Sequence, residues 1–435
     1  MNDEPRTGRD LIERAPAAAA VLAGARAAGL ALDGVWLVGG AVRDAVMARA
    51  AAGRDVDLAV EGAGVAFAHL LAGALGGEVI AEHLFGTATV LVDLGAELGL
   101  VHVDVATTRT ETYAAPGALP TVTLDATIEQ DLARRDISIN AIAVSAKPDA
   151  DGSHRIVDPF DGLGDIERRL VRVLHPGSFV DDPTRIVRVA RYSGRLGLPV
   201  DPETRQWAVD AVAAGALQTI SSDRMRAELE LVLREAAWDS LTLLAAWGML
   251  DQLDPRLEES FRLPFLIMRI DEVCGDDAQL HDRVWRMRLA ALVRPLGADR
   301  EGWLRWLGFP GDVIADVESH ARLLDYVFEH GVALAQVANS DLYLDLGEVE
   351  DDSFAVAAIA TDDEQVVARL DAYRTAIRGT RLTVRGEDVM AAGVPAGPRV
   401  GRILGTLFLQ ALDGELPDEA AERAELARLA EDGAA

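Results

Sequence analysis

Residues 37–57, LVGGAVRDAVMARAAAGRDVD, constrain what the chain can fold into more than any other stretch. An apolar strand runs into Gly39-Gly40, a helix opens with Arg43-Asp44, and Asp55-x-Asp57 follows on the next strand. Glycine lets backbone N–H groups come close to a phosphate, and a helix N-terminus attracts anions through its free N–H groups and dipole. Side chains on a strand alternate with period two, so Asp55 and Asp57 share one face. Such a pair suits a hard cation, Mg2+, beside a triphosphate. The unit therefore predicts Asp55 and Asp57 as catalytic metal ligands, and Gly39, Gly40 and Arg43 as a nucleotide-phosphate cradle. Asp104, in VHVDVA, is the candidate third catalytic carboxylate. The chemistry implied is nucleotidyl transfer, with one ion activating a 3′-hydroxyl and another stabilising the departing pyrophosphate. An EF-hand is excluded, because its third ligand position is Ala59.

At 435 residues, half of them hydrophobic, the chain has room for several globular domains. Its single Cys274 excludes a disulfide framework and a cysteine zinc site, and fits a reducing cytoplasm. No run reaches the ~18 apolar residues of a membrane helix. The formal net charge of −29 excludes nonspecific nucleic-acid binding over the whole surface. Across 131–230, however, 14 basic residues stand against 16 acidic ones, leaving 28 against 55 elsewhere. Lys147 is the only lysine, so phosphate contacts must come from arginine or backbone, and a P-loop is ruled out.

Hydrophobic periodicity predicts helices over 10–31, 41–52 and 63–76, and strands over Val35–Val38, Asp55–Val60, Thr87–Asp93 and 100–106. Segment 109–130 carries turn residues and weak periodicity, and reads as a loop beside the site. Strands cluster before residue 160 and helices follow, which predicts an α/β N-terminal domain and an all-helical remainder. The acidic end from Asp413 reads as a solvated terminal helix.

Two further constellations add to the first. Arg134-Arg135-Asp136-Ile-Ser-Ile-Asn140 offers arginines for bidentate contact with a triphosphate, and Asn140 for ribose or for holding the backbone. In DDPTRIVRVAR, Asp182 before Pro183 predicts a helix start. Arg185, Arg188, Arg191 and Arg195 then recur on one face; alone, they make an arginine stripe on an amphipathic helix. Beside a nucleotide they gain a purpose. Adenine and cytosine both present an exocyclic amine next to an unprotonated ring nitrogen. An aspartate accepts from the amine while an arginine donates to the ring nitrogen. Uracil and guanine have the reverse polarity, so an Asp/Arg pair selects A and C without a template.

Together LVGGAVRD, DVD, RRDISINA and DDPTRIVRVARY resemble class II tRNA nucleotidyltransferases and bacterial poly(A) polymerases. Segments 158–179, 221–233 and 386–416 extend the likeness, which spans 33–235 and 384–420. The resemblance implies a polymerase-β-like head over 1–150, a helical neck over 151–235, and a helical body and tail over 236–435 that binds tRNA. It implies Asp55 and Asp57 as metal ligands, and Gly40, Arg43 and Arg135 on the nucleotide phosphates and sugar. Arg188 and Arg191 would lie nearby, and Asp182 and Arg185 would read the base edge. The implied activity is addition of C and/or A to the tRNA 3′ end from CTP and ATP. The alternatives are A-only addition, CC-only addition, poly(A) synthesis and an inert tRNA-binding module. Asp181 departs from the family, which carries Glu there, and segment 109–130 has the TR-x-E-x-Y form of A-adding, CC-adding and some CCA enzymes. Arg294-Pro295 stands where an HD phosphohydrolase module would have His-Asp, and His281-Asp282 reads as structural.

Overall fold

Strict alternation builds the centre of the N-terminal sheet: Val101, Val103 and Val105 are buried while Leu100, His102 and Asp104 on the same strand are exposed. The computed structural model describes residues 7–48, 55–258, 265–274 and 283–431. The chain forms two compact units, Met1–Leu253 and Asp254–Ala435.

The first unit begins with α1 (Gly8–Glu13) and α2 (Pro16–Ala27). These replace the single helix expected over 10–31. Proline lacks an N–H and disfavours helical geometry in the residue before it. Ala15 accordingly sits at φ −114°, ψ 81°, and Pro16 starts a new helix. There follow β1 (Val35–Val38), α3 (Gly40–Val46), β2 (Asp55–Val60) and α4 (Gly64–Leu75). The expected helix over 41–52 thus ends early, and residues 49–52 lie outside those described. Next come β3 (Glu78–His83), which periodicity did not reveal, β4 (Thr87–Asp93) and β5 (Leu100–Thr107).

Segment 109–130 is not a loop. It forms an antiparallel hairpin, β6 (Arg109–Thr112) with β7 (Thr121–Leu124), and then the start of α5 (Ile128–Ala133). Threonines and Val122 favour the extended ladder, and Thr127 with Gln130 forms a capping box that starts the helix. A 3-10 turn (Ser138–Asn140), β8 (Ala143–Ser145) and β9 (Ile156–Val157) complete the strands. The helices that follow are α6 (Gly162–Arg168), α7 (Ser178–Asp181), α8 (Thr184–Leu196), α9 (Pro202–Ala213), α10 (Ser222–Arg234), α11 (Ala237–Ala246) and α12 (Met249–Leu253).

The seven-stranded sheet runs β3-β4-β5-β2-β1-β8-β9, with β2 and β5 parallel and the other pairs antiparallel. Helix α4 packs on β3, β4 and β5. Around the opposite face Trp36, Val38 and Ala59 pack with Ile128 and Leu132 of α5 and with Ala141 and Ala143. That apolar cluster fixes α5, and with it the arginines that follow, beside the carboxylates of β2.

In the second unit only helical elements occur among the described residues. The terminal helix is Glu419–Glu431, but it is not simply solvated. Leu426 is buried, and Glu422 is buried with Oε2 accepting from the backbone N–H groups of Thr383 and Val384. His281-Asp282 lies outside the described residues. Among the described residues no helix is long and apolar enough to cross a membrane.

Candidate active site

Register brings the acidic residues together. Asp57 pairs laterally with Asp104 across the parallel β2–β5 ladder, two residues after Asp55 pairs with His102. Lateral neighbours on adjacent strands project to one side, so Asp55, Asp57 and Asp104 share a face. Thr89 on β4 donates to Asp104 Oδ1 at 2.6 Å. All three carboxylates line a cavity of about 640 Å³ within the first unit.

Burial pushes the Asp57 carboxyl above its usual value; Arg135 opposes the shift, while Asp104 and Asp55 add to it. Clustered like charges that repel one another are what a divalent cation would relieve. Among the described residues no three acidic or imidazole side chains close into a ready-made metal cage. A hard divalent cation needs no such cage, being commonly held by one or two carboxylates and completed by water and substrate phosphates. The residues present therefore suit a hard divalent cation.

The Gly-Gly turn is demanded by this crowding. Gly39 has φ +71°, and a Cβ there would lie 2.8 Å from Asp57 Oδ2. Its peptide and the first turn of α3 line the cavity, and the Gly40 N–H donates to Asp57. Arg43, only 2% exposed, is locked by Asp44 (2.9 Å from Nε) and by Asn140 Oδ1 (2.8 Å from Nη1). Arg135 Nη1 donates to the Asn140 carbonyl at 3.1 Å. Asn140 thus joins two cavity-facing arginines through its side chain and its backbone.

Helix α8 supplies the opposite wall. It begins one residue later than Asp182-Pro183 suggests, yet Asp182 Oδ1 still accepts from the Thr184 N–H at 3.0 Å and also from Arg224 Nη2 at 2.6 Å. Arg185 donates through Nη2 to the Arg134 carbonyl at 2.8 Å. Arg188 donates twice to Asp136 Oδ2, at 2.6 and 2.9 Å. The arginine face is not a solvated stripe, since Arg185 and Arg191 are each 5% exposed. Asp182, Arg185 and Arg188 line the cavity, as does the exposed Arg195; Arg191 lies off it, paired with Glu235 at 2.8 Å.

Burial alone would lift the Asp136 carboxyl, but Arg188, the Ile137 N–H and Arg185 hold it below the usual range. A depressed folded-state value stabilises above the unfolded value of about 3.9 and loses that stabilisation as pH falls through the folded one. Asp136→Ala is expected to cost about 1–2 kcal/mol near neutral pH, because Arg188, itself partly exposed and still near Glu228, loses its closer partner. Urea titrations of both proteins should show that gap narrowing below about pH 4.

Sequence reasoning missed several cavity residues. Glu111 and Tyr113 reach it from the hairpin, with Tyr113 Oη donating to Glu111 Oε2 at 3.1 Å. Desolvation is the chief cause pushing the Tyr113 hydroxyl up to about 12. The alternation of Arg109, Glu111 and Tyr113 was the available signal, hidden by the loop reading of that segment. Tyr192 also lines the cavity, with the guanidiniums of Arg191 and Arg195 over its ring at 4.7 and 5.6 Å from the centroid.

Residues 35–172 match the Poly A polymerase head domain family. The chain is 32% identical to an A-adding tRNA nucleotidyltransferase of Geobacter sulfurreducens, over 88% of this chain and 43% of that protein. It is 31% identical to an A-adding tRNA nucleotidyltransferase of Halalkalibacterium halodurans, over 84% of this chain and 81% of the relative. The chain therefore spans less than half of the first relative and most of the second. Among solved structures it is similar to an apo CCA-adding enzyme, with 25% identity, a TM-score of 0.74, and coverage of 97% of this chain and 99% of that one.

Proposed function

This chain belongs to the class II tRNA nucleotidyltransferase family, and from that premise we propose that it adds nucleotides without a template to the 3′ end of tRNA in the cytoplasm, with AMP from ATP as the favoured addition and CMP from CTP as the variant reading. The observation that carries this is the single cavity in which the carboxylates of β2 and β5 face Arg43, Arg135 and the Asp182/Arg185 pair. The A-adding relatives favour AMP. The family is divalent-metal dependent, and the ion we propose is Mg2+.

In this reading residues 1–150 form the catalytic head, 151–235 the base-reading neck, and 236–435 the body and tail that hold tRNA. Asp55 and Asp57, with Asp104 alongside, hold the metal. When bound, the ion supplies charge neutralisation at the α-phosphate and at the departing pyrophosphate. The tRNA 3′-hydroxyl gives up its proton to solvent and its oxygen forms a bond to the α-phosphorus as the α–β phosphoanhydride bond breaks and pyrophosphate leaves. Gly39, Gly40 and the N-terminus of α3 cradle phosphate oxygens, and Arg43 and Arg135 neutralise them. Asn140 holds both arginines and faces the ribose. Asp182 accepts from the base amine and Arg185 donates to its ring nitrogen. Arg188 keeps Asp136 and α8 in register, and Arg191 supports the same helix from outside the cavity.

The test supplies tRNA ending at the discriminator base, at -C or at -CC, with labelled ATP and CTP given separately. AMP entering only the -CC substrate, abolished by chelation and restored by Mg2+, is the expected result. CMP entering the discriminator-ended substrate would shift the assignment to CC or CCA addition. No incorporation into any of the three would return the chain to an inert tRNA-binding role.

A further inference from the structure

Three strands of the site's wiring meet at one carboxylate that the chemistry above does not use. Asp131, the fourth residue of α5, is 1% exposed. Its Oδ1 accepts from Arg134 Nη2 at 2.7 Å, from Arg134 Nε at 3.0 Å and from the Arg109 backbone N–H at 3.2 Å. Its Oδ2 accepts from Arg135 Nη2 at 3.2 Å.

Each partner leads to a different part of the cavity. Arg135 continues through Nη1 to the Asn140 carbonyl and lies close to Asp57. The backbone carbonyl of Arg134 is the acceptor for Arg185. Arg109 opens the hairpin that carries Glu111 and Tyr113 into the cavity.

We propose that Asp131 is a positioning residue for nucleotide selection: a shared anchor that sets the phosphate-facing Arg135, the backbone that registers Arg185, and the start of the β6–β7 hairpin. This rests on the nucleotide-binding reading of the cavity. A free arginine side chain samples many rotamers, and a buried carboxylate accepting from two guanidiniums removes that freedom before substrate arrives. Without the charge, Arg134 retains Glu111 at 3.4 Å and would be drawn toward the hairpin. Arg135 would follow the field of Asp57. Both movements alter the geometry offered to a nucleotide while leaving the catalytic carboxylates in place.

The experiment measures KM and kcat for ATP, and the ATP:UTP incorporation ratio, in wild type, D131N, D131E, R135Q and D131N/R135Q on tRNA ending in -CC. D131N is expected to raise KM roughly 10- to 100-fold, the usual size for losing an orienting partner, with a smaller fall in kcat and a lower ATP:UTP ratio. D131E keeps the charge one methylene further out and should fall between wild type and D131N. Because part of the loss in KM acts through Arg135, the losses in the double variant should fall short of additive. A folded D131N with wild-type KM and base ratio, or fully additive losses in the double variant, would overturn the proposal. Should D131N not fold, D131E decides: a raised KM with unchanged melting supports the role, and wild-type KM with a wild-type base ratio overturns it. The wild-type lane separates the two levels of inference. Its silence would sink the AMP-adding reading on which this proposal rests, whereas an active wild type beside an unchanged D131N sinks only the role given to Asp131.

Discussion

Asp57→Asn should abolish nucleotide addition, by at least about 10³-fold or roughly 4 kcal/mol of transition-state stabilisation, while making the protein harder to unfold. The first half follows from position. Asp57 is central among the three carboxylates, lateral to Asp104 and two residues from Asp55. The second half follows from charge. Burial, with Asp104 and Asp55 adding to it, raises the Asp57 carboxyl in the folded state. A carboxyl raised above its unfolded value favours folding less and less as pH climbs through the raised value. Near neutral pH the ionised group therefore costs stability, and asparagine removes that cost, for a gain of about 0.5–2 kcal/mol. Mg2+ should then stabilise the wild type, by binding only the folded form, and leave the variant's melting temperature unmoved. Thermal melts with and without the ion, beside a turnover assay, test both halves. A variant that turns over normally would remove Asp57 from the chemistry.

Asp57 also separates what local sequence dictates from what tertiary packing adds. Period-two spacing was enough to put Asp55 and Asp57 on one face, because alternation is a local property of any strand. That Asp104 is the lateral neighbour of Asp57 depends on the register of two strands over forty residues apart, and register is set by the packing of Val56 and Leu58 with Val101, Val103 and Val105. The hairpin at 109–124 was lost for another reason. Its strands are four residues each and joined by a Pro- and Gly-containing turn, so composition resembles a loop while cross-strand pairing makes it a ladder. The arginines of α8 were visible as a stripe, but their burial was not. It arises from partners far along the chain, Asp136 and Glu235 among them. Asp131 had a weak local signal, standing three and four residues before Arg134 and Arg135 on a capped helix. What the spacing could not reveal was that the Arg109 N–H and, through Arg134, Arg185 join the same anchor.

Arg185→Ala should relax the choice of base far more than it weakens tRNA binding. Arg185 is buried against the cavity and held by the Arg134 carbonyl, so its donors meet the nucleotide in a fixed direction. Asp182 is fixed as well: Oδ1 is engaged by Thr184 and Arg224, and Oδ2 is the oxygen we assign to the base amine. With both groups in place, uracil would set its carbonyl against a carboxylate and its ring N–H against a guanidinium, leaving buried groups unpaired. Sites built on hydrogen bonds of that kind discriminate by factors of about 10⁴, and removing half of the pair is expected to surrender roughly 10²-fold of it. The variant should still fold, because Asp136 keeps its two bonds from Arg188. The measurement is kcat/KM for each of the four nucleotides on tRNA ending in -CC, with tRNA affinity determined separately. Wild-type ratios among the four would remove the base-reading role from Arg185. Arg185→Lys sharpens the test. Lysine preserves the positive charge but presents it as a point on a flexible stem rather than as a planar set of donors. If charge alone governs selection, lysine restores the ratios; if donor direction governs it, lysine restores binding of ATP and leaves discrimination against UTP impaired, and the second outcome is the one this geometry requires.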